Sequence, residues 1–143
     1  MAKSTHPSII ERSVEAAHIW YRDVAEELGT EDQHYAARAL RAVLHSLRDR
    51  LTVEEGAQLA SQLPTLIRGI YYEGWKPGGI HSFSHDVDAF LAHVAENGRM
   101  AGETEASLAT AAVARVLARH VSAGELDDVR AILPAPLRPL FEV

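Results

Sequence analysis

At 143 residues, with 47% hydrophobic and 24% charged side chains, the chain has the balance of one compact globular domain that needs no covalent staple. A net charge of −6 disfavours indiscriminate binding to nucleic acid or anionic membrane, and the absence of cysteine removes disulfides, thiolate chemistry and cysteine-ligated zinc or iron–sulfur centres. Charge interrupts the N-terminal residues before an apolar run develops, and no span reaches membrane length, so the expectation is a soluble cytoplasmic protein.

The first periodic segment places Ile10, Val14, Ala17, Tyr21, Val24 and Leu28 three and four residues apart and ends at Gly29, which predicts an amphipathic helix with a glycine C-cap. Thr30 with Gln33 has the form of a capping box opening a second helix, whose apolar stripe is Ala36, Leu40, Val43, Leu47 and Leu51. Thr52 with Glu55 repeats that signal for a third helix holding Leu59 and Leu63, and Pro64 suits the first turn of a fourth with Ile67, Ile70 and Tyr71. The run from Gly74 to Gly79 then breaks the pattern.

Seventy residues on, the plan returns. Ser122 with Glu125 restates Thr52 with Glu55, Pro134 restates Pro64 and Arg138 restates Arg68. Phe90, Leu91 and Val94 stand where Trp20, Tyr21 and Val24 stood, and Val129, Leu133, Leu137, Leu140 and Phe141 follow Leu59, Leu63, Ile67, Ile70 and Tyr71. A period of this kind points to a duplicated supersecondary unit. The expected fold is all-α: two tandem four-helix repeats, residues 1–75 and 83–143 joined by a linker at 76–82, packed as a single domain around a shared core or as neighbouring bundles.

Several stretches resemble one bacterial family. Residues 39–51, Gln62-Leu63-Pro64, Tyr71-Tyr72-Glu73-Gly74-Trp75, and Leu117 to Glu125 continued through Leu133-Pro134 are similar to the family called domain of unknown function 2267, over about His18 to Leu140. The resemblance implies an all-helical, internally duplicated protein found beside general stress and small heat-shock functions. It implies no reaction and carries over no catalytic residues.

His34, Arg38, Arg41, His45 and Arg48 are spaced four, three, four and three apart, forming one basic stripe on the second helix. The positions seventy residues later are Thr104, Leu108, Ala111, Arg115 and Ala118, so the stripe belongs to one half only. Such a stripe could grip an acidic protein surface, a phosphate or an RNA backbone; the plainer alternative is a solvated face with arginines paired to Asp23, Glu26, Glu27 or Glu31. Tyr72 and Trp75 beside the glycine-rich break are a second partner-binding candidate, or a cover for the seam between the halves. His81, His85, Asp86, Asp88 and His93 form the best metal-like grouping, although Ser84 as an N-cap and Asp86 at a helix dipole explain the same residues, and no metal or cofactor is expected. Carboxylate pairs such as Glu54-Glu55 and Asp127-Asp128 fall in first turns, where the dipole accounts for them.

With no serine elbow, His-Glu-x-x-His helix or glycine-rich nucleotide loop, the expectation is a non-enzymatic protein–protein interaction module in a bacterial stress or regulatory setting, its partner an unidentified and acidic protein. The alternative is a small-molecule or metal-binding module with a pocket between the repeats. The acidic balance argues against nucleic acid. The apolar duplication leaves self-association open.

Overall fold

The computed structural model describes residues 6–77 and 83–143, and these residues are helical with no strand among them. Among the described residues seven α-helices run α1 (Ser8–Leu28), α2 (Gln33–Arg48), α3 (Val53–Ser61), α4 (Thr65–Tyr72), α5 (Val87–Gly98), α6 (Glu103–His120) and α7 (Ala123–Ile132), and a 3₁₀ helix, Ala135–Phe141, follows. The linker at 76–82 lies largely outside the described residues.

The apolar stripes converge on one core. α1 packs on α2 and α6, α5 packs on the same two helices, and Trp20, Val24, Leu40, Val43, Leu47, Phe90, Val94, Val113 and Leu117 lie buried among them. The buried apolar residues of these helices form one continuous core. α4 lies against α2 and α1, the 3₁₀ helix lies against α6 and α5, and α3 meets α7.

Local chemistry fixes the ends. The backbone N–H of Gly29, in the left-handed region at φ 70°, donates to the carbonyls of Ala25 and Glu26 and stops α1. α5 ends at Arg99, also left-handed at φ 53°, a conformation that costs a residue with a Cβ about 1–2 kcal/mol. Glycine stands one position earlier because a Cβ on Gly98 would come within 3.3 Å of the Ala42 Cβ and 2.8 Å of the Met100 Cε, so its smallness allows α5 to approach α2. Thr52 and Ser122 cap α3 and α7 in the same way, each hydroxyl accepting from the backbone N–H of the glutamate three residues on at 3.2 Å.

Three local expectations need correction. The N-cap of α2 is Asp32, whose carboxylate accepts from Tyr35 N–H at 3.1 Å, while the Thr30 hydroxyl accepts from Asp32 N–H instead of capping the helix. The N-cap of α5 is Asp86 and not Ser84, whose hydroxyl donates to the Asp86 carboxylate at 2.8 Å. The last element is 3₁₀ and not α, because Pro136 and Pro139 stand where α4 has Leu66 and Gly69, and proline cannot donate the bond a continuing α-helix needs.

Candidate functional site

The basic stripe of α2 is not a free face. Its buried end is turned inward onto the C-terminus of α4. Arg48 is only 6% exposed, and its Nη1 donates to the carbonyls of Tyr71 and Glu73, both at 2.7 Å, while Nε donates to Asp49 at 2.9 Å. His45, equally buried, places Nε2 2.7 Å from the Ile70 carbonyl; the carbonyl can only accept, so this nitrogen carries the proton. Burial, with Arg48 and Arg41 nearby, holds the His45 pKa below its ordinary value and keeps the ring neutral.

The remaining stripe residues divide between structure and solvent. Arg38 Nε donates to the Gly98 carbonyl at 3.2 Å, tying the end of α5 to α2, and its guanidinium lies over the Tyr35 ring. Arg41 is exposed and reaches Glu73 at 3.4 Å, and His34 is exposed. The expectation of five solvated cations on one face is therefore corrected: Arg38 and Arg48 donate to carbonyls at the ends of α5 and α4, and His45 adds a second donor to the Ile70 carbonyl, which also accepts from Glu73 N–H at 3.2 Å. Of the acids foreseen as their pairs, Asp23 and Glu27 instead bind Arg119 of α6.

Tyr72 and Trp75 are half-buried, their rings 5.2 Å apart, and Tyr72 in turn meets the edge of Tyr71 at 5.2 Å. His81 lies outside the described residues. His85 and Asp88 are exposed, and His93 stacks on Phe83 with its Nδ1 3.2 Å from Arg50 Nη1. Arg50 itself, 2% exposed, donates to the Ser84 and Ser46 carbonyls and lies over Phe90, so this region is a packed polar joint.

The group brought within metal-ligand reach among the described residues is a different one: Glu55, Glu125 and Asp128, with one carboxylate oxygen of each within 4.8 Å of the others. Glu55 and Glu125 are each 7% exposed, and Glu55 Oε1 and Glu125 Oε2 are buried with no hydrogen-bond partner. Loss of water, then the facing Glu55 carboxyl, which can bond Glu125 only through a proton held by one of the two, then the charge of Asp128, push the Glu125 carboxyl up to about 8. Sequence reasoning noticed both glutamates as capping-box residues. It missed that the two boxes face each other where α3 meets α7. The signal present was their equivalence at a spacing of seventy residues, together with an acidic residue one turn further along α7.

No curated protein matches the chain. A family model described as "Uncharacterized conserved protein (DUF2267)" matches residues 17–140, so the match takes in α2 to α7, the bonds that hold α4 to α2, and the three facing carboxylates. The chain belongs to this family.

Proposed function

We propose that the protein is a non-enzymatic interaction module that offers the N-terminal arm of α1 to an amphipathic helix of a partner protein. One observation carries the reading. α5 begins at Val87, the counterpart of Ala17 seventy residues earlier, whereas α1 begins at Ser8 and so runs further out than the packing of its counterpart requires. No residue from Ser8 to Ala16 is buried.

The added turns continue the core stripe into solvent. Ile10 and Val14 are in register with Ala17, Tyr21 and Val24 and are 50% and 43% exposed, and Ile9 beside them is 50% exposed. Three of the eight large apolar side chains exposed among the described residues thus lie on one short arm. An unpaired apolar stripe on a preformed helix suits helix-in-groove recognition, in which side chains at i and i+4 serve as anchors.

The basic stripe contributes less than its sequence promised, since Arg38, His45 and Arg48 are engaged with backbone carbonyls, leaving Arg41 and His34 to meet an acidic partner. A bacterial stress or regulatory setting belongs to the same reading and rests on the family resemblance alone, while the cytoplasmic location rests on a sequence without cysteine or an apolar run of membrane length.

The test is affinity capture from lysate with the natural protein and an Ile10→Glu/Val14→Glu variant, alongside light scattering of both. A partner held by the first and lost by the second supports the reading, and a dimer lost in the variant identifies the partner as a second copy. Identical captured sets and identical masses would overturn it.

A further inference from the structure

We infer that Glu55, Glu125 and Asp128 form a site for one hard divalent cation, of calcium or manganese type, that bridges α3 and α7. The site shares no residue with the α1 arm and stands on separate observations.

The placement begins with the two caps. Because Thr52 and Ser122 each hold the backbone N–H of the third residue of their helix, Glu55 and Glu125 leave their first turns at equivalent points. Where α3 packs on α7 these side chains are carried to each other and out of water. The amide of Gln62 locks the same seam, its Nε2 donating to the Ser122 hydroxyl at 3.0 Å and its Oε1 accepting from Ser122 N–H at 2.7 Å. The carboxylates therefore meet in a braced joint.

Two buried carboxylate oxygens, Glu55 Oε1 and Glu125 Oε2, have no donor. A buried acceptor left unsatisfied is costly, and two carboxylates facing each other add repulsion. A dication relieves both oxygens together.

The donor set selects the type of ion. It consists of carboxylate oxygens with no imidazole or thiolate, which favours a hard cation over zinc or copper. Oxygens within 4.8 Å of one another can share one ion, and calcium, with ligands at about 2.3–2.6 Å in flexible geometry, accepts an irregular carboxylate set more readily than magnesium, which demands near-ideal octahedral geometry at about 2.0–2.1 Å. Glu55 and Glu125 supply the buried ligands. Asp128, exposed at the rim, gives the ion a way in and leaves coordination positions open to water.

The experiment is isothermal titration of the chelator-stripped full chain with calcium chloride at pH 8, repeated with manganese and magnesium, with melting curves in calcium and in chelator. Saturable one-to-one binding is expected, with calcium or manganese tighter than magnesium, a rise in melting temperature with the bound ion, and weaker binding at pH 5.5, where protons compete. A Glu55→Gln/Glu125→Gln variant should lose saturable binding while keeping its helical circular-dichroism spectrum. Absence of saturable binding to the natural protein, or binding that survives in this double variant, overturns the site. Should the double variant fail to fold, Asp128→Asn decides: this exposed change should weaken binding by about tenfold or more, and a smaller loss or an unchanged affinity overturns the site.

Discussion

The Tyr71 hydroxyl donates to the carbonyl of Gly56 at 2.9 Å, and the same oxygen lies 3.3 Å from where a Cβ on residue 56 would stand. Seventy residues later the corresponding residues are Phe141 and Leu126: where the hydroxyl is absent, the position of Gly56 carries a side chain. Tyr71→Phe should cost about 1 kcal/mol in chemical denaturation, the usual worth of a buried hydrogen bond. Gly56→Ala should gain little in the natural protein, because the improved helix propensity of about 1 kcal/mol is offset by crowding against the hydroxyl. In the Tyr71→Phe background that gain should appear. Strictly additive effects would show that the contact does not couple them.

Arg48 and Arg41 look alike on a helical wheel and should behave differently when replaced. Removing Arg48 strands the Tyr71 and Glu73 carbonyls at the end of α4, so Arg48→Met should destabilise by about 2–4 kcal/mol. Arg41 makes one exposed ion pair with Glu73, and Arg41→Ala should cost under about 1 kcal/mol. Denaturant midpoints at constant slope measure both, and equal losses would refute the division of the stripe.

The periodicity of the chain was sufficient for the helices, because each buries one face and the 3.6-residue repeat records which residues lie on it. It was insufficient where a choice rested on which of two nearby groups caps a helix: Thr30 and Ser84 have the right chemistry, but Asp32 and Asp86, two residues later, are the ones whose carboxylates reach the first turn. Arg48 illustrates a second limit. Charge identifies a side chain that needs partners without telling whether water or a helix end supplies them. Glu55 and Glu125 illustrate a third, since their pairing depends on contact between α3 and α7, and local spacing contains no record of that contact.

Asp23 joins α1 to the end of α6, accepting from His120 Nε2 at 2.6 Å and pairing with Arg119 at 3.3 Å. His120 in turn stacks on the buried Trp20 at 4.9 Å. Asp23→Ala removes the carboxylate from a site only 8% exposed and should cost about 1–3 kcal/mol, with a change in Trp20 fluorescence as the ring stack loosens. A loss below 0.5 kcal/mol, a value typical of exposed pairs, would place the joint among decorative surface contacts.

Stability should fall as the solution becomes alkaline, and Glu125 gives the direction. Its folded pKa is raised from 4.5 to about 8, so the folded state retains a proton that the unfolded chain releases. The proton's contribution is fully present below about pH 4.5, declines through the interval, and is gone above about pH 8. The acids acting on it are Glu55 of α3 and Asp128 of its own helix, while Tyr71 of α4 also feels its charge. Cations from the adjoining elements are directed elsewhere: Arg119 to Asp23, Arg130 to Asp127 and the Phe141 carbonyl, Arg68 to the Ala60, Ser61 and Leu63 carbonyls, and Arg138 to the Leu133 and Ala131 carbonyls. His45 and His93 work in the opposite sense, since burial lowers both pKa values and their contribution is lost as pH falls below about 6.5. Melting curves in chelator should therefore decline toward both extremes, and Glu125→Gln should abolish the alkaline decline while sparing the acid one. An alkaline slope that persists in this variant would mean that a group other than Glu125 holds the proton.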